Sequence, residues 1–273
     1  MQTTIETHYS RGAHLAERIR ATLIASGTDI DQLTTTDLAP VDEFHMRGRQ
    51  ATLELADRME LSTQSHVLDL GSGLGGPART LAEVFGCHVT GIDLTRDFCE
   101  AATEIAGWLS LADQVRFVHG DATALPFDAA SFDAAMTIHV AMNIPAKDRL
   151  YAEARRVLKP RAIFAVYDVL QGEGGPVVYP VPWAREPSIS ALATPAEMRE
   201  LLVSAGFALL EEIDSTEACV GWFRDLATRA ADRSPHQVTF QSFLGEDFSQ
   251  MARNQVQNLT ETRIRVVTYI CRA

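Results

Sequence analysis

The stretch HVLDLGSGLGG, residues 66–76, decides the fold of this chain. Its apolar half, which contains Val67, Leu68 and Leu70, is typical of a buried parallel strand. Four closely spaced glycines then give way to helix-forming residues, so the pattern predicts a strand, a tight turn and a helix N-terminus. A glycine turn lets backbone N–H groups approach a ligand that any Cβ would push away. The sequence therefore predicts that this turn binds a nucleotide-like cofactor.

The glycine spacing by itself leaves the cofactor class open. Gly71, Gly73 and Gly76 fit the G-x-G-x-x-G pattern of dinucleotide binding, in which an acidic residue follows about 20 positions later. Asp93 follows at the end of a second apolar run, HVTGID (88–93). A carboxylate there can accept hydrogen bonds from both ribose hydroxyls of NAD, or of any other adenosine. A strand-to-helix turn without a ligand is the third interpretation.

An ordered set of segments around the turn separates these alternatives. In chain order the segments read VLDLGSGLGG, TGIDL, GDATALPF, SFDAAMTIHV and RRVLKP. The set closely resembles class I S-adenosylmethionine-dependent methyltransferases. The most similar branch acts on small molecules and includes ubiquinone/menaquinone C-methyltransferases, sterol methyltransferases and sarcosine/dimethylglycine N-methyltransferases. The resemblance covers roughly residues 40–170 and implies S-adenosyl-L-methionine as the cofactor. Arg161 and Ala162 depart from it, because the family usually has two glycines there.

Alternating apolar runs and helix-forming segments predict an α/β fold, with a doubly wound sheet covered on both faces. The resemblance implies seven strands, mostly parallel, with the last one (263–272) inserted antiparallel. We expect residues 1–60 to form an N-terminal helical cap and residues 61–273 a Rossmann-like methyltransferase core. Residues 171–193 carry glycines, prolines and two large aromatic residues, which indicates an insertion over the active site.

Composition limits the class of protein and its partners. The chain has 273 residues, of which 46% are hydrophobic and 22% charged, as is typical of a soluble globular protein. Because it has neither an apolar run of about 18 residues nor a secretory leader, we expect a cytoplasmic protein without a membrane segment. A net charge of −12 argues against a nucleic-acid substrate. The spacing of the cysteines and histidines predicts no metal site. The oligomeric state stays open.

The resemblance gives cofactor roles to residues at the ends of the first three strands. The glycine turn would enclose the methionine moiety, with Asp69 ordering the turn or meeting the ammonium group through water. Asp93 would bind the ribose diol, and Leu94 would pack on adenine. Asp121 would meet the adenine amino group and the Ala122 N–H a ring nitrogen. Ligands of doubly wound sheets gather at these strand ends. The expected cofactor residues are Asp69, Gly71, Ser72, Gly73, Gly75, Asp93, Leu94, Asp121, Ala122 and His139.

The end of the fourth strand and the cap supply the candidates for catalysis. Nucleic-acid amino-methyltransferases usually have a [D/N]PP[Y/F] motif at this strand end, whereas residues 137–140 read TIHV, which favours a small-molecule acceptor. His139 would act as a base there or would only line the cofactor. Tyr9 is a second catalytic candidate, because an aromatic ring can enclose an amine by cation–π contact. The candidate substrate-lining residues are Tyr9, His45, Asn143, Tyr179, Trp183, Trp222 and Phe243.

We therefore expect methyl transfer from S-adenosylmethionine to a small molecule. An amine nitrogen is favoured, because VDEFHMRGRQAT (41–52) resembles the sarcosine/dimethylglycine enzymes. O- or C-methylation of a quinone, phenol or other secondary metabolite is the alternative. An NAD-dependent oxidoreductase is expected to have a Tyr-x-x-x-Lys pair, and neither Lys147 nor Lys159 has a tyrosine four residues earlier. A cofactor-binding protein without turnover is the remaining class.

Overall fold

The computed structural model describes residues 14–230 and 247–273. Tyr9 and Phe243, two of the candidate site residues, lie outside the described residues. The helices are α1 (Leu15–Ala25), α2 (Thr35–Asp42), α3 (Gly48–Ala56), α4 (Gly76–Phe85), α5 (Arg96–Trp108), α6 (Lys147–Val157), α7 (Pro195–Ser204), α8 (Thr216–Ala230) and α9 (Phe248–Thr260). The strands are β1 (His66–Leu70), β2 (His88–Asp93), β3 (Val115–His119), β4 (Phe132–Ile138), β5 (Leu158–Gln171), β6 (Ala208–Asp214) and β7 (Ile264–Arg272).

Within the described ranges, the seven strands form one sheet in the order β3-β2-β1-β4-β5-β7-β6. Strand β7 runs antiparallel to both of its neighbours, β5 and β6, whereas β1 to β5 pair in parallel. The predicted α/β fold with an antiparallel last strand is therefore confirmed. Strand β1 pairs with β2 on one side and with β4 on the other, so the strand order reverses beside β1. Such a reversal leaves a crevice at the carboxyl ends of the strands.

Strand β1 is buried on both faces, as its apolar run predicts. Val67 packs in one core cluster, and Leu68 and Leu70 pack in a second cluster on the opposite side of the sheet. All three side chains are fully buried. Because successive residues of a strand point to opposite faces, this division shows that helices cover both sides of the sheet at β1.

Helices α1 to α3 form the described part of the N-terminal cap. The buried face of α1 packs against Phe98 and Ile105 of α5. A buried ion pair joins the cap to the core, because Arg79 of α4 donates a hydrogen bond to Asp42 at 2.6 Å. Both side chains are inaccessible to solvent, so removing one partner would leave an uncompensated charge in the core. The cap is thereby held above the carboxyl end of β1.

The segment that follows β5 runs through residues 172–193 with one 3₁₀ turn, Pro187–Ile189, and is packed into the protein. Trp183 is only 1% exposed. Helix α9 holds the backbone of the segment with two asparagines one helical turn apart. Asn254 donates to the Pro180 carbonyl at 2.9 Å, and the amide of Asn258 pairs with both backbone groups of Val178. These contacts order the segment at the opening of the crevice.

None of the helices in the described ranges is both long and apolar enough to cross a membrane. In the same part of the chain, no group of three or more histidine, cysteine, aspartate or glutamate side chains is arranged to hold a metal ion.

Candidate active site

A cavity of about 1400 Å³ opens at the carboxyl ends of the parallel strands. Its walls come from the cap, the turns after β1, β2 and β3, the end of β4, the 172–193 segment, α8 and α9. Many residues singled out in the sequence therefore meet in one place. Those on its wall are His45, Asp69, Gly71, Ser72, Gly73, Asp93, Leu94, Asp121, Ala122, His139, Asn143, Trp183 and Trp222.

Among the expected site residues that the structure describes, Gly75 and Tyr179 are not on the wall of this cavity. Gly75 has a φ of 78°, and a Cβ on it would overlap the Phe117 ring and the Arg79 guanidinium. The absent side chain of Gly75 thus allows the turn to pack against β3 and α4, and its expected cofactor contact stays a prediction. Tyr179 packs, partly buried, against the hydrophobic core, and its expected contact with the substrate stays a prediction.

The glycine turn after β1 is folded against β2. The N–H groups of Gly71 and Ser72 both donate to the Ile92 carbonyl, at 2.8 and 3.1 Å. The N–H of Gly73 donates to the Asp93 carboxylate at 2.9 Å. A Cβ on Gly73 would have no atom within 4 Å, which leaves this point of the turn open on the cavity wall. Hydrogen bonds therefore fix the side of the turn that faces β2, whereas the side at Gly73 leaves open space in the cavity.

Asp93 connects the glycine turn to the start of α5. One carboxylate oxygen accepts the Gly73 N–H, and the other accepts the Thr95 N–H at 2.8 Å. Burial raises the pKa of Asp93, and the two backbone hydrogen bonds oppose that rise. Each oxygen keeps a further lone pair for a ligand hydroxyl. This structural role was missed in the sequence, where only the ribose contact was expected.

Asp69 lies on the cavity wall directly before the glycine turn. Its side chain is 2% exposed, and Oδ2 has no hydrogen-bond partner in the described structure. Burial, together with the carboxylates of Asp93 and Glu43, raises the pKa of Asp69 to about 8. An unpaired carboxyl group among other acids is a site of high affinity for a cationic ligand.

Glu43, at the end of the cap helix α2, adds a further carboxyl group to the wall. It accepts hydrogen bonds from the hydroxyls of Thr52 and Thr80. Burial and the neighbouring Asp42 raise the pKa of Glu43 to about 7. Glu43 was not among the expected site residues, although it belongs to the 41–52 segment whose resemblance was noted.

Asp121 and Ala122 follow β3 and lie on the same wall. The Asp121 Oδ1 atom accepts hydrogen bonds from the N–H and the hydroxyl of Thr123, both at 2.8 Å. This local turn fixes the loop next to the ends of β1 and β2. The part of the cavity lined by Asp69, Gly71–Gly73, Asp93, Leu94, Asp121 and Ala122 is called the glycine end below.

His139 follows β4 with a φ of 54°, a left-handed conformation that few residues other than glycine adopt. Its N–H donates to the Tyr167 carbonyl at 2.8 Å, and its ring stacks on that of Tyr167 with centroids 5.0 Å apart. The Nε2 atom has no hydrogen-bond partner among the described residues. Burial and the neighbouring His45 lower the pKa of His139 well below its usual value. The imidazole of His139 is therefore neutral, and its buried Nε2 has no protein partner.

His45 faces His139 from the cap, with ring centroids 5.9 Å apart in an edge-on arrangement. Its Nε2–H donates to the Gly48 carbonyl at 3.0 Å. Burial lowers the pKa of His45 to about 4, so the ring is neutral at physiological pH. The Nε2 proton of His45 is therefore used in a hydrogen bond within the cap.

The part of the cavity between α8, α9 and the 172–193 segment is mostly apolar and is called the apolar chamber. Helices α8 and α9 each turn one face toward it, with the spacing of three and four residues that a helix face requires. Asn143 also borders the cavity, but its amide donates to the carbonyls of Trp183 and Ile189, so it holds the 172–193 segment in place. The chamber is lined by Trp183, Ala218, Gly221, Trp222, Leu226, Phe248, Ala252, Gln255 and Val256.

Comparison with known proteins agrees with this geometry. Residues 68–166 match the family described as a methyltransferase domain. The chain is 40% identical to sterol 24-C-methyltransferase ERG6B of Gibberella zeae over 116 residues, which cover 42% of this chain and 30% of that protein. It is 32% identical to sterol 24-C-methyltransferase erg6 of Schizosaccharomyces pombe over 171 residues, 60% of this chain and 45% of that protein. The matched part spans less than half the length of these curated relatives.

Solved structures extend the likeness to most of the fold. The [4+2]-cyclase SpnF is 26% identical, with a TM-score of 0.65 over 82% of this chain and 80% of that one. Geranyl diphosphate C-methyltransferase from Streptomyces coelicolor A3(2) shares the fold at 15% identity, with a TM-score of 0.68 over 82% and 79% of the two chains. Residues 68–166, which contain the glycine turn and strands β2 to β4, are therefore similar to a methyltransferase domain, and most of the chain shares the fold of these solved structures.

Proposed function

We propose that this protein transfers a methyl group from S-adenosylmethionine to a bulky, largely apolar small molecule. The observation that carries the proposal is a single cavity that joins the acidic glycine end to the apolar chamber. A cationic cofactor suits the first part, and an apolar acceptor suits the second. Methyl transfer requires the two molecules to lie in contact and in line, which one shared cavity allows.

The residues of the glycine end fit the cofactor. The unpaired Oδ2 of Asp69 would meet its ammonium group, and Asp93 would accept hydrogen bonds from its ribose diol. The space beside Gly73 would take its methionine moiety, because no protein atom fills that space. Leu94 and Ala122 would pack at its adenine. When bound, S-adenosylmethionine supplies an electrophilic methyl group on a sulfonium, so the protein needs only to bind, orient and exclude water.

The apolar chamber favours an oxygen or carbon acceptor on a large molecule over the small amine that the sequence favours. Aromatic and aliphatic side chains from α8, α9 and the 172–193 segment form its walls, and Trp183, Trp222 and Phe248 are the largest. Such walls make ligand binding more favourable, because they remove apolar ligand surface from water. The relatives named as sterol C-methyltransferases and the fold neighbour named for geranyl diphosphate point to acceptors of this kind.

Binding and transfer experiments test the proposal. Calorimetry should detect tight binding of S-adenosylhomocysteine and none of NADH. Transfer of a radiolabelled methyl group should then be measured with matched panels of phenols, quinols, terpenes, sterols and amines. Labelling of an apolar acceptor supports the proposal. Tight NADH binding without S-adenosylhomocysteine binding contradicts the cofactor assignment, and labelling of small amines alone contradicts the acceptor class.

A cofactor-binding chain that transfers no methyl group is a second candidate function. The [4+2]-cyclase SpnF, 26% identical to this chain, favours it, because its name describes a ring closure on a related fold. Binding of S-adenosylhomocysteine with no labelling of any panel member would support this second candidate over methyl transfer.

His139 would act as the base for a hydroxyl acceptor, because its ring is neutral at physiological pH and its buried Nε2 has no protein partner. We expect His139→Asn to lower kcat by about 100-fold, the usual contribution of a general base. Asparagine tolerates the left-handed backbone at this position, so the fold should be retained. The dissociation constant for S-adenosylhomocysteine should change little.

The matched control for His139 is His88→Asn, which alters an exposed histidine on β2. Full turnover in the His139 variant contradicts the base role. An equal loss of turnover and of S-adenosylhomocysteine affinity means that His139 only lines the cofactor.

Cofactor binding should release protons near neutral pH. Before binding, Asp69 and Glu43 hold protons because their pKa values are raised to about 8 and about 7. The ligand's ammonium group favours the ionised carboxylates, so affinity should rise from about pH 6 to about pH 9. Calorimetry of S-adenosylhomocysteine binding at neutral pH in phosphate and in Tris measures the released protons from the difference in apparent enthalpy.

The control for proton release is Asp69→Asn, which should bind more weakly and release fewer protons. Identical enthalpies in the two buffers, together with a pH-independent dissociation constant, would contradict this prediction.

A further inference from the structure

The apolar chamber contains one buried polar side chain that the methyl-transfer machinery does not use. Gln255 of α9 lies on the cavity wall and is 8% exposed. Its amide makes no hydrogen bond with any of the residues in the described ranges. An amide carries two donors and a carbonyl acceptor, and those of Gln255 are open to the cavity, unlike the fully buried unpaired atoms of Asp69 and His139.

Helix α9 separates its polar residues by face. Asn254 and Asn258, four residues apart, bind the backbone of the 172–193 segment. Phe248, Ala252 and Val256, also four residues apart, line the chamber. Gln255 lies three residues after Ala252, so it shares the face that lines the chamber. The helix therefore presents a free amide among apolar side chains, whereas its neighbouring asparagines are fully used in holding the protein together.

Other polar groups of α8 and α9 on the cavity wall differ from Gln255. Asp225 and Arg253 are charged and exposed to solvent. An exposed charge keeps its hydration when a ligand binds, and so it selects weakly between ligands. A buried amide loses its water when an apolar molecule fills the chamber, and this loss is compensated only if the ligand supplies a hydrogen-bonding atom.

We propose that Gln255 determines acceptor specificity by hydrogen bonding an oxygen function, a hydroxyl or a carbonyl, on a bulky apolar acceptor. This inference rests on the proposed function and adds a substrate class to it: terpene-like or polycyclic molecules that carry at least one oxygen. Both group types fit, because the amide accepts from a hydroxyl and donates to a carbonyl. Hydrocarbons of the same shape are rejected, since they strip the amide of water and return no hydrogen bond.

The test uses two matched probe pairs on the protein loaded with S-adenosylhomocysteine. The pairs are farnesol with farnesene, and 5α-androstan-3β-ol with 5α-androstane. Calorimetry should show the alcohol of at least one pair binding about tenfold more tightly than its hydrocarbon, the factor expected of one neutral hydrogen bond. Gln255→Leu should remove this preference and leave hydrocarbon affinity unchanged.

Two further variants complete the design. Gln257→Leu makes the same substitution on an exposed part of α9, where Gln257 pairs with Glu261, and it should keep the preference. Gln255→Met removes the amide with an unbranched side chain, so the question can still be answered if the leucine variant folds poorly.

The possible results separate this inference from the proposed function. An unchanged alcohol preference in both Gln255 variants overturns it. Equal binding of alcohol and hydrocarbon by the wild-type protein, or no binding of either pair, also overturns it. Failure of S-adenosylhomocysteine to bind in the first step instead overturns the proposed function.

Discussion

Asp93→Ala is expected to weaken S-adenosylhomocysteine binding by about 100-fold or more. The ribose diol loses two charge-assisted hydrogen bonds, each worth about 1.5–3 kcal/mol, and about 1.4 kcal/mol corresponds to a tenfold change in affinity. The substitution also removes the acceptor for the N–H groups of Gly73 and Thr95. The glycine turn and the start of α5 therefore lose their common anchor. Calorimetry with S-adenosylhomocysteine measures the effect.

Two variants separate the ribose contact from the anchoring of the turn. Asp93→Asn keeps one oxygen acceptor and loses the charge, so its affinity should lie between those of the wild-type and alanine variants. Asp113→Ala removes an exposed acid and controls for the change in net charge. Unchanged affinity in Asp93→Ala would contradict the ribose assignment. Thermal unfolding of each variant shows whether the loss of affinity accompanies a loss of fold.

Gly71→Ala and Gly73→Ala should separate the structural glycine of the turn from the ligand-facing one. A Cβ on Gly71 would overlap the stiff, β-branched side chain of Val140, at a φ of 77°. Overpacking and backbone strain together should lower the free energy of unfolding by about 2–5 kcal/mol. A Cβ on Gly73 meets no atom within 4 Å, so its variant bears only the backbone strain at a φ of 52°, about 1–2 kcal/mol.

The effects of the two substitutions on S-adenosylhomocysteine affinity should not follow their effects on stability. Gly73→Ala should keep the fold and lose at least about tenfold in S-adenosylhomocysteine affinity, because its methyl group occupies space that the cofactor needs. Denaturant unfolding and calorimetry measure the two quantities. Gly107→Ala, in helix α5 with nothing within 4 Å of the added Cβ, is the matched control and should retain both. Equal destabilisation of the Gly71 and Gly73 variants, or wild-type affinity in Gly73→Ala, would contradict this division.

The glycine turn and Tyr179 show where a sequence pattern stops being informative. Gly71, Gly73 and Gly75 look alike in a glycine-rich turn, yet the direction of each absent Cβ depends on the backbone and on what packs there. Phe117 fills the space beside Gly75 and comes from β3, more than 40 residues later in the chain. Tyr179 was expected on the substrate wall because a large aromatic residue is rarely left in water. Burial in the core satisfies that requirement equally well.

The free amide of Gln255 could not be predicted from its helix alone. In the sequence, Asn254, Gln255 and Asn258 are three similar polar residues on one helix. Two of them bind the backbone of a segment about 80 residues earlier in the chain, and the third lines a cavity. Only the packing of α9 against the 172–193 segment distinguishes them.

The sequence by itself determined the strands, the glycine turn and the acids at the strand ends, because hydrophobic periodicity and glycine conformation act over a few neighbouring residues. The tertiary structure alone decided which side chains share the cavity. Glu43 from the cap faces Asp69 from β1, and the apolar chamber joins α8, α9 and a loop that are far apart in the chain. Such contacts depend on how distant elements pack, and no local pattern of residues records that packing.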